Sequence, residues 1–423
     1  MCFIFIGQFL FYFLKLANNG AIVYSANIKE DKFKIMPRLK NTLEICINNG
    51  KRVFDVIKET NFTPDQIKRL YRVFTLAETA KLVGVSTEAI RKAEIAGKIS
   101  KAETDEKSKR RMFTLKEINE CRDYFGTRPG RKEGDDPTTV AFINFKGGVY
   151  KSTASLHFAQ YLALEGYKVL FVDTDSQATS TQFFGIIPDN LEQELSTIAS
   201  FLIGDTSTLA GAIVPTYWEG LDLIPANLGL YDAEILVPIR VTQGALGKNF
   251  YSLLREGLET VKHSYDVIVI DAPPSLGIIS MNVIYAADGL VIPIPPLFAD
   301  FSSTLEFFSM LRDVSNNLGD REFKFLKLLI TKFDGSEESK TFVKVIKQVF
   351  GGDLVMSNIF SNTAEIPRAS QDLKTVYELT DIKVKQTYLR AIGILDRVNK
   401  ELEKTLLSTW PSYAKNLVTE GVF

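Results

Sequence analysis

Lys146, Lys151, Ser152, Asp173, Asp175 and Asp271 are the residues whose types and spacing could do chemistry. The first three lie in Phe142–Thr153, FINFKGGVYKST. A short apolar run, Val140–Ile143, leads into a loop carrying Gly147 and Gly148, and the loop closes on Lys151-Ser152-Thr153 as a helical pattern begins. This is the layout of a phosphate-binding loop. Successive backbone N–H groups cradle phosphate oxygens, a lysine reaches the β- and γ-phosphates, a hydroxyl holds Mg²⁺, and the helix N-terminus adds partial positive charge. The strict pattern G-x-x-x-x-G-K-[ST] fails, because Phe145 and Tyr150 occupy its glycine positions. What remains is K-G-G-x-x-K-[ST], with Lys146 just ahead of the glycine pair. Taken alone, a Lys/Gly surface turn is the plain alternative.

The carboxylates favour the chemical reading. The helical pattern Ser152–Leu164 stops at Gly166 and feeds the strand KVLFVD, which ends in Asp173-Thr174-Asp175-Ser176-Gln177. Nearly a hundred residues later Tyr265–Gly277, YDVIVIDAPPSLG, repeats the design: an apolar strand, Asp271 at its carboxyl end, then a Pro-Pro loop. Ligands of open α/β sheets bind outside the carboxyl ends of the strands. The same alternation runs on from Thr138, with strand patterns at Val140–Ile143, Lys168–Val172, Leu221–Ile224, Val267–Asp271, Gly289–Pro293, Phe325–Thr331 and Val355–Phe360. Most are almost continuously apolar, which is how a parallel sheet covered on both faces reads. The predicted fold class is α/β, a doubly wound, mostly parallel sheet.

The motifs KGGVYKST, VDTDSQATS and VIVIDAPPSLG resemble those of the ParA/MinD-type deviant Walker ATPases, over residues ~36–423. Within that family the chain is similar to the large plasmid-partition ParA proteins that carry an N-terminal helix–turn–helix. Tyr150, the segment ECRDYFGTR and the stretch AADGLVIPIPPLFADFSSTLEFFSMLRD look like that subgroup. The resemblance implies ATP and Mg²⁺ as cofactors, bound along Lys146, Gly147, Gly148, Val149, Tyr150, Lys151, Ser152 and Thr153. It implies that Lys151 binds the β/γ-phosphates and Ser152 ligates Mg²⁺. Lys146 would be the signature lysine that crosses an ATP-sandwich homodimer. Asp175 would orient the hydrolytic water, Asp173 would support the metal site, and Asp271 would hold Mg²⁺ through water. Thr331-Lys332 is placed near the base. The family commonly has Pro where Ser176 stands, so the loop after Asp175 departs from the pattern. Phosphoryl transfer needs charge neutralisation and an in-line water rather than covalent catalysis, so these groups suffice for a slow, partner-stimulated ATPase. The implied partners are a ParB-type centromere-binding protein and DNA, and the implied location is the cytoplasm, at the nucleoid.

The rest of the chain is organised around that body. The 423 residues carry a net charge of −1 that hides an asymmetry. Residues 36–132 hold 22 basic and 13 acidic side chains, net +9, while 133–423 hold 24 and 36, net −12. A basic N-terminal part on an acidic body points to a polyanion partner. Three scattered cysteines give neither a disulfide framework nor a zinc site. With none after Cys121, an iron–sulfur reductase is excluded. Phe74–Ser100 reads as helix–turn–helix: Leu76–Val83, a turn at Gly84-Val85-Ser86, then Thr87–Ala96 stopping at Gly97. Ala80, Val85 and Ile90 would fill its core, and Thr87, Glu88, Arg91 and Lys92 would face a major groove. Lys98–Arg111 reads as a wing ending in Arg110 and Arg111, and Phe113–Gly126 as a further helix.

The expected domains are an apolar extension, 1–35, for which a signal segment, a short anchor and a translation start at Met36 are the alternatives and which is read as an upstream extension with little packed structure; an N-terminal helix, 36–73, a candidate for dimerisation; a winged helix–turn–helix, 74–126; a linker, 127–137; and the ATPase body, 138–423. Arg368 and Lys374, in EIPRASQDLKTV, are candidates for an ATP-dependent DNA contact, although each also fits a solvated charged face. Two other functions were weighed. A nucleotide-switched repressor would use residues 74–111 alone. A MinD-like positioning ATPase would need a basic amphipathic C-terminal helix, whereas Ala391–Phe423 is mixed in charge and interrupted by Pro411, so no membrane partner is expected.

Overall fold

The computed structural model describes residues 70, 72–104, 110–188, 197–247, 249–317 and 322–413, with a few positions between 44 and 52. The expected extension at 1–35, most of the expected N-terminal helix and the tail after residue 413 lie outside the described residues. Residues 61–423 form one compact unit.

The first described elements are β1 (Phe74–Thr75), α1 (Leu76–Val83), α2 (Thr87–Ile95), β2 (Glu103–Thr104), β3 (Arg111–Phe113) and α3 (Leu115–Phe125). Capping chemistry sets the helix starts. Thr75 and Glu78 form a reciprocal box at α1, Thr114 and Glu117 form another at α3, and Ser86 accepts from Ala89 N at α2. Gly84 stops α1 at φ 77, a left-handed angle that suits glycine. Ala80 and Ile90 are buried between the helices, with Val85 half-buried against them. The three strands make an antiparallel sheet in the order β1-β3-β2.

The body carries β4 (Thr138–Phe142), α4 (Lys151–Glu165), β5 (Val169–Asp173), α5 (Thr179–Phe183), α6 (Ile198–Ile203), β6 (Val214–Pro215), β7 (Leu221–Ile224), α7 (Gly229–Thr242), α8 (Leu253–Glu259) and β8 (Val267–Asp271). It continues through α9 (Ile278–Ala286), β9 (Gly289–Ile294), α10 (Phe298–Asn317), β10 (Phe325–Phe333), α11 (Glu337–Phe350), β11 (Phe360–Ser361), α12 (Glu365–Gln371) and α13 (Lys385–Leu407). The eight strands run β11-β10-β9-β4-β8-β5-β7-β6, all pairs parallel except β6 on β7. Strand residues alternate between two cores. Val140, Phe142, Val169, Phe171, Val267 and Val269 pack on the face that carries α4 and α13, while Ala141, Leu170, Val172, Ile268 and Ile270 pack on the other. Burial on both faces is why these strands carry apolar residues at consecutive positions through their middles.

The strands differ from expectation in two places. Val355–Phe360 is not one strand: Val355 makes a single bridge to Leu328, and pairing resumes only at Phe360–Ser361. Between them Glu401 of α13 takes the N–H groups of Ser357 and Asn358, so those donors do not enter a ladder. The short edge strand β6 was not anticipated. Its Pro215 lacks the N–H that a central strand needs, and an edge tolerates that.

Helix α4 is buried along most of its length. Its C-terminal carbonyls are held by cations from the N-terminal part. The fully buried Arg122 donates to Leu164 O at 2.7 Å, to Asn119 Oδ1 and to Leu82 O, and Arg128 donates to Gly166 O. The stretch 127–137 is thus fastened down, with Asp135 also accepting from Ser412. In the middle of α4, His157 Nδ1 donates to Thr153 O and Nε2 accepts from Val376 N. Both nitrogens are committed to the neutral ring, and burial pushes its pKa down to about 4.

His157 therefore makes stability depend on pH. The unfolded ring titrates near 6.5. Below that value the unfolded chain takes a proton that the folded chain refuses, so this contribution is complete above about pH 6.5 and is lost as pH falls towards 4. Denaturant unfolding of wild type and His157→Gln at pH 7.5 and pH 5 tests this. The stability gap between the two should narrow by roughly 2 kcal/mol at pH 5; a constant gap would refute the assignment.

Candidate nucleotide site

The loop between β4 and α4 is held from both sides. Asn144 Nδ2 donates to Pro293 O, and Asn144 Oδ1 accepts from Lys146 N at 3.0 Å. Thr331 Oγ1, at the end of β10, donates to Val149 O. Gly148 sits at φ 72 and Tyr150 at φ 71, which turns the chain into α4 at Lys151. A Cβ added at Gly147 or Gly148 would meet nothing within 4 Å, so the space over the glycines is open. No side chain caps the N-terminus of α4 and no acidic residue lies in its first turn, which leaves the helix N–H groups for an anion.

Both lysines are held internally. Lys151 Nζ donates to Lys146 O at 2.9 Å, and Lys146 Nζ lies 2.6 Å from Oδ1 of the buried Asp300, in α10. Burial pulls the Lys151 ammonium below its ordinary pKa, and the charges of Asp271 and Asp175 resist the shift.

The three aspartates stand beside this loop. Asp173 and Asp271 are in register at the ends of β5 and β8, both buried. Asp173 accepts from Thr181 N at 2.8 Å, from Thr181 Oγ1 at 2.7 Å and from Asp175 N at 3.1 Å, so it braces the loop that carries Asp175. Asp271 Oδ2 accepts from Ser180 Oγ at 2.7 Å, whereas Asp271 Oδ1 is buried without a hydrogen-bond partner. Burial raises the pKa of both carboxyls and the charge of Asp271 raises that of Asp173 further. The hydroxyls of Ser152 and Ser180 and the Lys151 ammonium oppose the rise at Asp271. Asp175 is half-buried and accepts from Gln177 N.

The fold thus brings Lys146, Gly147, Gly148, Val149, Tyr150, Lys151, Ser152, Thr153, Asp173, Asp175 and Asp271 to one end of the sheet. It does not gather the DNA-contact candidates there. Arg91 and Lys92 are exposed on α2, Thr87 is half-buried at its start, and Arg110 is exposed before β3. Arg111 is paired with the buried Glu94, and Arg368 with Glu365 and Asp381. Lys374 is half-buried beyond α12.

Sequence reasoning missed Asn144, Ser180, Thr181 and Asp300. Ser180 and Thr181 had a faint signal as hydroxyls following the DTDSQ turn; Asp300 had none, since it meets Lys146 only through the fold.

A family model described as an AAA domain matches residues 137–321. Protein SopA of Escherichia coli K12 is 37% identical over 350 residues, which cover 81% of this chain and 90% of that protein. The chain belongs to the ParA-type family of partition ATPases. It is accordingly an ATPase. Among solved structures, one described as a partition protein superposes with a TM-score of 0.62 at 21% identity, covering 86% of this ParA-type chain and 98% of the other. The ATP complex of McdA from Cyanothece superposes at 0.53 and 23% identity, covering 64% and 98%. These two likenesses show the shared fold. Among the described residues no helix is long and apolar enough to cross a membrane.

Thr181 ties Asp173 to the segment that follows β7, because its hydroxyl also accepts from Ala226 N. Thr181→Val keeps the shape but strands that amide and one carboxylate bond. It should lower unfolding free energy by about 2 kcal/mol, read by chemical denaturation; an unchanged midpoint would show that the bracing is dispensable.

Proposed function

We propose that this chain is a DNA-partition ATPase that works as an ATP-gated dimer. In this reading the ATP-bound homodimer binds nucleoid DNA without sequence preference, and a ParB-type centromere-binding protein stimulates hydrolysis and release. The helix–turn–helix represses the chain's own operon. What carries the reading is the pairing of the two-lysine loop with three strand-end aspartates in a chain similar to SopA over most of its length.

The donor set fits a magnesium ion. Asp271 Oδ1 is an unpartnered buried acceptor, and among the described residues no cluster of three or more His, Cys, Asp or Glu forms a cage. One carboxylate, one hydroxyl and substrate phosphates is how Mg²⁺ is usually held. Ser152 and Asp271 would hold it, with Asp173 bracing behind, and the ion would neutralise charge on the phosphate oxygens. Lys151 would leave Lys146 O for the β/γ-phosphates. Lys146 would leave Asp300 for the nucleotide of the second copy. Asp175 would orient the attacking water. Arg91, Lys92, Arg110 and Arg111, with Thr87, are the candidates for operator contact, and Arg368 and Lys374 for the ATP-dependent DNA contact.

The deciding experiment is retention of non-specific duplex DNA with no nucleotide, with ADP, or with ATP and Mg²⁺. Retention in ATP alone, lost in Lys151→Ala, is expected; equal retention in all conditions would overturn the ATP gate and favour a repressor. Asp175→Ala should keep ATP-dependent retention while hydrolysis falls about 100-fold or more. Hydrolysis at the wild-type rate would remove Asp175 from the water-orienting role.

A further inference from the structure

Tyr150 stands where the strict loop has glycine, and it keeps the left-handed backbone that glycine would adopt freely, at φ 71. Strain of this kind persists only where its surroundings enforce it. Its ring supplies the enforcement. Lys332, itself left-handed at φ 54, places its ammonium 4.8 Å from the ring centroid. The pairing of β10 with β11 skips between Thr331 and Phe333, so Lys332 is the extra residue of a bulge, a device that re-aims a side chain. The same ring packs edge-on against Phe360 at 5.8 Å, and its hydroxyl is 3.4 Å from Asn362 Oδ1. Two strained residues from distant parts of the chain thus hold each other beside the phosphate loop.

These contacts lie on the flank of the loop away from the aspartates. In the sheet, β9, β10 and β11 lie on one side of β4, and β8 and β5 on the other. Phosphates and a metal on the Asp173/Asp271 flank would leave the ribose and base to the other flank, beside Lys332.

We propose that Tyr150 is a positioning residue for the nucleobase, acting through Lys332. Its ring holds the lysine at the base flank, and the ring rather than the hydroxyl matters, since the Asn362 contact is long. The proposal rests on the reading of the loop as an ATP site.

The test compares ATP with inorganic triphosphate, each with Mg²⁺, by titration calorimetry on the full chain. Wild type should bind ATP more tightly than triphosphate. Tyr150→Phe should match wild type for both. Tyr150→Asn and Tyr150→Gly, which tolerate the left-handed backbone without a ring, should lose about tenfold in ATP affinity and nothing in triphosphate affinity. Lys332→Met should show the same ATP-specific loss. Equal losses for both ligands would overturn the proposal, because Tyr150 would then only shape the phosphate loop. An unchanged ATP affinity in the Asn and Gly variants, failure of Phe to rescue, or a wild type without preference for ATP over triphosphate would also overturn it. A wild type that binds neither ligand would instead refute the ATP site itself.

Discussion

Asp173 and Asp271 face each other in register at the ends of neighbouring strands, both buried, on the sheet face that carries α4. Two like charges directly opposite in a ladder repel, and burial adds a desolvation cost to each. The surrounding structure is built to offset this. Thr181 and the Asp175 amide saturate Asp173, Ser180 binds one oxygen of Asp271, and Thr174 ties the two strands together by donating to Asp271 O. The α4 N-terminus brings Lys151 and Ser152 to the same place. One oxygen is left over, and it belongs to the residue that faces the phosphate loop. A divalent cation there would offset the charge of both carboxylates.

Legibility in the sequence followed burial. β4, β5, β8 and β9 were readable because both faces of each strand are covered, so apolar residues run nearly without a break; β7 and β10 were readable although Asp222 and Lys327 interrupt their apolar runs. Helix ends at Gly84, Gly97, Gly126 and Gly166 were readable because those positions adopt positive φ, which glycine meets without strain. The lysines and strand-end aspartates were readable because their spacing within each motif is short. The partners were not. Ser180 reaches Asp271 across 91 residues, and Thr331 reaches Val149 across 182. No local pattern encodes such meetings. The Val355–Phe360 run failed for a related reason: its β-forming composition is genuine, but Glu401, 43 to 44 residues away, claims the amides that a strand would pair.

Both lysine ammonium groups beside the loop have partners within the chain. Lys151 on Lys146 O and Lys146 on Asp300 are bonds that compete with phosphate for the same ammonium groups. An anion that engaged both lysines at the helix N-terminus would have to win that competition, and a triphosphate, with more charge than a diphosphate, would be better placed to do so.

The clasp of Arg122 and Arg128 on the last turn of α4 has a consequence for information flow. The loop before α4 opens one end of that helix, and Arg122 and Arg128 of the N-terminal part grip the other, about 22 Å away at 1.5 Å per residue. Any coupling that a shift of this helix carried from a bound nucleotide to the N-terminal part would be reciprocal. A ligand that prefers one setting of the N-terminal part would thereby set the grip on nucleotide at the far end, by the same factor and with no contact to it.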